Sequence, residues 1–245
     1  MENESGHHLR KHQFFITPAH PCSYLPEREA VTLFLDPRET VSEALYGELT
    51  DLGFRRSGAH LYRPHCQSCS ACVPVRIRVA DFKPRRRQRR NLARNADLRL
   101  EIKPATFEPD IYALYERYIA ARHRDGDMYP ANVDQFRSFL LSSWANTAFY
   151  CAYARDASGA ERLVSCAAMD RQANGYSAIY TFFDPNESER GLGVFSILSQ
   201  IELCREQGLP YLYLGYWIKD SAKMSYKADY RPLEMLVNEH WIVLR

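Results

Sequence analysis

The stretch "YTFFDPNESERGLGVFSILSQIELCREQGLPYLYLGYW", Tyr180 to Trp217, decides how the second half of this chain is read. It begins as an aromatic, β-branched strand and closes on Asp184-Pro185, a pair that suits a turn. Gly191 and Gly193 then open a helix whose apolar face is Val194, Ile197, Leu198 and Ile201, stopped by Gly208 and Pro210. "YLYLGYW", Tyr211 to Trp217, is a second strand. The step from strand to helix can present helix amides to an anion, and the two glycines permit close backbone approach.

Upstream, "PDIYALYERYIAARH" places Ile111, Leu114, Tyr115, Tyr118 and Ile119 on one helical stripe. "NVDQFRSFLLSSW" is a second helix with Phe136, Phe139 and Leu140 inward. Three strands follow, "TAFYCAYA", "RLVSCAAM" and "YSAIYTFF", joined by "DASG" and "QANG", which are hairpin-turn chemistry. Helix, helix, three antiparallel strands, helix, strand resembles the element order of the GNAT acyltransferase fold. In that fold the strand-to-helix step makes the ligand-binding turn. Members that use acetyl-coenzyme A carry Arg or Gln three residues before the first glycine; Ser188 stands there and argues against coenzyme A as donor.

The first segment is organised differently. "VTLFLD" (Val31 to Asp36) reads as a strand ended by Pro37, and "TVSEALYGELTDLGF" as a helix with a Thr40/Glu43 capping box, terminated by Gly53. "CVPVRIRV" alternates: Val73, Val75, Ile77 and Val79 face one side, Arg76 and Arg78 the other. That second face is either solvated or a deliberate pair of guanidinium groups. Pro84 then suits a helix first turn, and Arg86, Arg90 and Arg94 recur along one face. Like charges so spaced repel, so the helix is either a solvated linker or gains from a polyanion. From Arg76 to Arg94 nine Lys/Arg face one acid, Asp81, in a chain of net charge +2, which points to one docking surface. The expected class is α+β: a disordered tail over 1–12, a small N-terminal α/β domain with a Cys-rich loop over 13–80, a basic helix or linker over 81–102, and a GNAT-like domain with a mostly antiparallel sheet over 103–245.

With 245 residues, 46% hydrophobic and 13% aromatic, the chain can bury a core and is not a disordered sequence. No run of about eighteen apolar residues predicts a membrane span, and the N-terminus lacks the apolar segment of a secretory signal. An odd seven cysteines in a chain too large to need disulfides fits a reducing cytoplasm. Nothing in the sequence fixes an oligomeric state.

Lys223, Tyr226 and Lys227 cluster in "YLYLGYWIKDSAKMSYKADYRP". Together with "YTFFDP" and "CSYLP…YRPHCQSCSACVPVRI", this segment resembles the bacterial aspartate/glutamate leucyltransferases, relatives of the eukaryotic arginyl-tRNA–protein transferases, from about Phe14 to the end. The resemblance implies transfer of leucine from leucyl-tRNA to proteins with N-terminal Asp or Glu, marking them for degradation. Aminoacyl-tRNA is then a co-substrate and no cofactor is required. Asp184 is the candidate to orient or deprotonate the acceptor amine, unless it is simply the turn residue of Asp-Pro. Lys223, Tyr226 and Lys227 are candidates to hold the tRNA 3′ end and donate to the oxyanion. An acidic acceptor calls for a guanidinium fork, and Arg76 and Arg78 are the candidates. Lys83, Arg85, Arg86, Arg87, Arg89, Arg90 and Arg94 are candidate tRNA-backbone contacts. The rival readings are arginine as the donated residue, a coenzyme-A-dependent N-acetyltransferase, and a cysteine-knuckle RNA-binding protein.

Cys66, Cys69 and Cys72 are spaced by two residues, and Cys22 is a plausible fourth ligand for zinc or an iron–sulfur cluster. The eukaryotic relatives use a C-x₂-C pair and an adjacent Cys-Cys pair; here Leu25 and Ala71 stand at the missing positions, so the thiols either compensate or form a vacant set. Cys151, Cys166 and Cys204 sit within apolar patterns and read as core.

Overall fold

The computed structural model describes residues 11–156 and 158–245, so most of the expected N-terminal tail lies outside the described residues. His12, at its end, pairs with Glu39 at 2.9 Å. Strands β1 (Phe14–Ile16), β4 (Thr32–Leu35), β5 (Arg55–Ser57) and β6 (His60–Pro64) form an antiparallel sheet in the order β1-β4-β6-β5, beside a minimal ribbon of β2 (His20–Pro21) and β3 (Glu29–Ala30). Helix α1 (Glu43–Asp51) packs Leu45, Tyr46 and Leu49 onto this sheet with Leu35, Phe54 and Leu61. Its cap is Ser42, whose hydroxyl accepts from the Leu45 amide at 3.1 Å; the helix therefore starts two residues after the expected Thr40. Gly53, at φ +86°, ends it as the sequence predicts.

The remaining strands build one eight-stranded sheet in the order β14-β13-β7-β12-β11-β10-β9-β8. They are β7 (Val73–Arg78), β8 (Arg99–Pro104), β9 (Thr147–Arg155), β10 (Glu161–Gln172), β11 (Gly175–Phe183), β12 (Tyr211–Trp217), β13 (Leu233–Val237) and β14 (His240–Leu244). Among the described residues only β11 and β12 pair in parallel, joined by α5 (Leu192–Glu206), while α2 (Arg86–Arg94), α3 (Pro109–Arg122) and α4 (Val133–Leu140) complete the helices described. The mixed α+β fold with a mostly antiparallel sheet is thus the one expected, and its β9-β10-β11-α5-β12 core is GNAT-like.

Two features differ from the sequence reading. Strand β7, grouped with the N-terminal segment, is hydrogen-bonded between β12 and β13 in the middle of the large sheet, so residue 80 is no structural boundary. Its Val75 and Ile77 face α5 in a core with Met169, Leu198, Ile201 and Leu212, and every residue from Val75 to Ile77 is buried. Helix α4 stops at Leu140, because Leu141 is extended. On the other side of the sheet α3 and α4 enclose Tyr115, Phe136, Phe149, Cys166 and Phe182.

A buried polar joint locks the N-terminal unit to the large sheet. Arg56 and Asp170, both fully buried, pair at 2.6 Å, and Asp170 also accepts from Tyr46 Oη at 2.6 Å and Thr147 Oγ1 at 2.7 Å. Arg56 donates further to the Gly58 carbonyl at 2.9 Å. With these bonds made, the charges are compensated; removal of either partner would strand the other.

Candidate active site at the fork of two parallel strands

β11 and β12 pair through Gly175–Tyr211, Tyr176–Leu212 and Ser177–Tyr213, and there the pairing stops, although β11 runs on to Phe183 and β12 to Trp217. The strands part into a fork, and Arg55 of β5 sits at its apex. Its guanidinium donates to Ser177 Oγ at 3.0 Å and to the carbonyl of Ala178, the last paired and first unpaired positions of β11. On the β12 side it lies against Gly215, where a Cβ would stand 3.0 Å from the Arg55 Cζ and Nε. A bulge between Tyr213 and Gly215 and a φ of +78° at Gly215 bring the backbone this close, a conformation that glycine alone adopts without strain.

Lys227, in a short 3₁₀ turn (Ser225–Asp229) after β12, reaches the same region. It is 6% exposed and donates to the Tyr216 carbonyl at 2.6 Å and to Met224 Sδ at 3.2 Å. Burial, then the charge of Arg55, lowers its pKa from 10.5 to about 7. Tyr226 beside it is partly exposed, its hydroxyl made less acidic by the packing around its inner side and by Tyr118. Lys223 is exposed and close enough to His123, at the end of α3, to help burial depress the imidazole pKa. Among the described residues neither Arg55, Lys223 nor Lys227 has a carboxylate partner. The cleft is therefore cationic and rimmed by tyrosines.

The other expected site residues are placed differently. Arg76 is 7% exposed, with Nε on Glu234 at 2.6 Å and Nη1 on Asp51 at 2.9 Å, and its guanidinium stacks over Tyr211 and Trp241 at 3.7 and 4.2 Å. That fork already holds two carboxylates and is a joint between α1, β13 and β14, so it is not open to an acceptor. Arg78 is exposed but lies 3.0 Å from Asp81 and 3.7 Å from Glu234. Asp184 is buried, caps the 3₁₀ turn Pro185–Arg190 through the Asn186 amide at 3.0 Å, and pairs with Arg162 at 2.6 Å. Its oxygens are engaged, which matches the turn-residue reading. Gly191 (φ +62°) and Gly193 are closed in by their neighbours: a Cβ would stand 2.8 Å from Asn91 Nδ2 and 3.4 Å from the Phe183 ring.

The basic helix α2 lies across that helix start. Asn91 Nδ2 donates to the Arg190 and Gly191 carbonyls at 2.9 and 3.1 Å, and Asn95 Nδ2 to Arg190 at 2.9 Å. Its polar inner face fixes it, while Lys83, Arg85, Arg86, Arg87, Arg89, Arg90 and Arg94 are all exposed. Arg89 folds back onto the Pro84 carbonyl and Arg94 onto that of Glu189.

The cysteine set does not close. Cys72 has its pKa raised to about 11, by burial first and then by Cys22, Cys66 and Cys69, so the thiols are neighbours. Yet Cys66 bonds the Val31 backbone and Cys69 accepts from Arg28, and among the described residues no group of three or more His, Cys, Asp or Glu can hold a metal ion. As arranged, these residues do not fit zinc or a cluster, and no step is drawn through one. Cys151, Cys166 and Cys204 are buried, as expected.

Sequence reasoning missed Arg55. "GFRRSG" shows two adjacent arginines, and alternation on a strand only says that they face opposite ways.

Fold and site together define a mixed α+β protein with a cationic fork between two parallel strands. Family models for the arginine-tRNA-protein transferase match at 20–90 (N terminus) and 110–237 (C terminus), and the chain belongs to this family. Among curated relatives, an aspartate/glutamate leucyltransferase of Alcanivorax borkumensis is 54% identical over 94% of this chain and 93% of its own. One from Hahella chejuensis is 51% identical over 96% and 99%. A solved structure titled as that of FemX aligns at a TM-score of 0.49 with 9% identity, over 91% of this chain and 84% of that one.

Proposed function

We infer that the protein is an aspartate/glutamate leucyltransferase: it moves leucine from leucyl-tRNA onto the α-amine of proteins that begin with Asp or Glu. The observation that carries the reading is the parting of β11 and β12 over cations without carboxylates, in a chain about half identical to proteins of that name. The new N-terminal leucine marks the acceptor for degradation. Leucyl-tRNA is the co-substrate and acidic N-termini are the protein partners. The setting is the cytoplasm, where aminoacyl-tRNA is made and where seven free thiols stay reduced.

The donor ester is already activated, so positioning and oxyanion stabilisation supply most of the acceleration. The acceptor ammonium, of pKa about 7.7–8.0, must first lose a proton. Lys227, held near pKa 7 by burial and Arg55, is matched to take it; its two amine N–H bonds go to Tyr216 and Met224, leaving a lone pair. The amine nitrogen then attacks the ester carbonyl, the C–N bond forms, and the C–O bond to the ribose breaks. A second proton leaves the nitrogen, one returns to the ribose oxygen, and one is released overall. Tyr226 and Lys223, at the open side, donate to the oxyanion and to the terminal nucleotide. The exposed arginines of α2 carry the tRNA backbone.

The test is to incubate the protein with leucyl- or arginyl-tRNA and peptides beginning with Asp, Glu or Ala, and to read the mass of the product. Leucine is expected on the Asp and Glu peptides only; arginine in its place, or no product, refutes the reading. Among the described residues no helix is long and apolar enough to cross a membrane.

A further inference from the structure

The arginines expected to read the acceptor's acidic side chain are paired with carboxylates, and the cleft itself holds a guanidinium that, among the described residues, is not. We propose that Arg55 is the specificity-determining residue for acidic N-termini, binding the Asp or Glu carboxylate at the apex of the β11–β12 fork. This rests on the leucyltransferase reading and assigns its acceptor subsite.

Four observations support it. First, Arg55 is half-buried and among the described residues its bonds are to a hydroxyl and a carbonyl, both neutral. A guanidinium has five N–H donors, and these two bonds leave the others for a planar acceptor. Second, the fold goes to some length to bring it there: β12 bulges, and Gly215 takes φ +78° so that its backbone touches the guanidinium face. A structural arginine would more simply be given a carboxylate, as Arg56 is given Asp170 one residue later. Third, Lys227 shares the region and among the described residues likewise lacks a carboxylate, so an acceptor carboxylate meets the Arg55 guanidinium with no acid beside it and with the neutral Lys227 amine as its neighbour. Fourth, the surroundings are tyrosines: Tyr24, Tyr62, Tyr216 and Tyr226 all sense the Arg55 charge. These neighbours are uncharged, and among the described residues no carboxylate pairs with Arg55. A tRNA phosphate is the less suited occupant, because the exposed arginines of α2 already offer the backbone an open surface.

The experiment compares kcat/KM for otherwise identical peptides beginning with Asp and with Asn, using full-length protein and leucyl-tRNA. Asparagine keeps the shape and removes the charge. In Arg55→Gln the Asp-over-Asn preference is expected to fall roughly 10- to 100-fold, through the KM of the Asp peptide, since bonds to a charged partner are of that size. The Kd for leucyl-tRNA should be unchanged. A retained preference, or a tRNA affinity that falls in step with the peptide, overturns the proposal. Should the glutamine variant not fold, Arg55→Lys decides: one ammonium replaces the fork, and the preference should drop about tenfold. An unchanged preference in the lysine variant overturns it equally. If the wild-type protein transfers leucine to neither peptide, the leucyltransferase reading has failed instead.

Discussion

Replacing Lys227 by Met tests the electrostatics of the cleft without any substrate. In the unfolded chain this amine titrates near its ordinary 10.5, and in the folded protein near 7, because burial and Arg55 oppose the charge. Below about pH 7 both states carry the proton, and the folded state bears the full penalty of a buried ammonium. Between the two values the folded amine is neutral while the unfolded one is charged. The unfolded state then binds more protons, so stability must rise with pH, by about 1.4 kcal/mol per pH unit from this group. From pH 7 to pH 9 that amounts to about 3 kcal/mol in wild type. Lys227→Met lacks the term, so its stability relative to wild type should decline by that amount across the window. Cys72 works in the opposite sense only above its ordinary 9.0, because its folded thiol is held at about 11. His123, depressed below 6.5, titrates beneath the window and is common to both proteins. The assay is urea denaturation at half-unit pH steps, with the difference in unfolding free energy plotted against pH. Parallel curves for the two proteins would refute both the depressed pKa and the proton-accepting role built on it.

Arg56→Met should cost about 3–5 kcal/mol by leaving Asp170 buried and unpaired, and Arg56→Met with Asp170→Leu should recover much of that; a loss under about 1 kcal/mol in the single variant would show that the joint is not needed. Arg76→Met should destabilise by about 3 kcal/mol through stranding Glu234 yet leave the Asp-over-Asn preference intact; the reverse pattern would return the acceptor role to Arg76. Charge reversal at Arg86 and Arg90 should weaken leucyl-tRNA binding and flatten its salt dependence by just under one log unit per log salt for each phosphate no longer neutralised, with peptide KM unchanged; an unaltered salt slope places the tRNA elsewhere.

Much of the fold is legible locally. The β9-β10-β11 meander, α3 and α5 follow from period-2 and period-3.6 patterns with turn residues between, and those signals lie within single segments. The weaker elements were not: β8, β13 and β14 are short, partly exposed strands whose order comes from the neighbours they pair with. The basic surface of α2 is likewise a sequence property, since five arginines in nine residues must in large part face water or a polyanion.

The chemistry of individual arginines was decided otherwise. Arg55, Arg56, Arg76 and Arg78 are indistinguishable on paper: two adjacent on one strand, two alternating on another. The fold gives Arg56 to Asp170, Arg76 to Asp51 and Glu234, and Arg78 to Asp81, while Arg55 alone of the four has no carboxylate partner among the described residues. Every acid that makes this difference except Asp81 is more than twenty residues away along the chain. Likewise the lysine in "MSYKADY" has its pKa lowered to about 7 only where packing strips its water and sets Arg55 near it. The sequence by itself determined most strands and helices and the concentration of charge on α2, because periodicity and composition are local, and its motifs carried the family resemblance. Only the tertiary structure decided which cations stay uncompensated, because compensation depends on partners that distant segments supply.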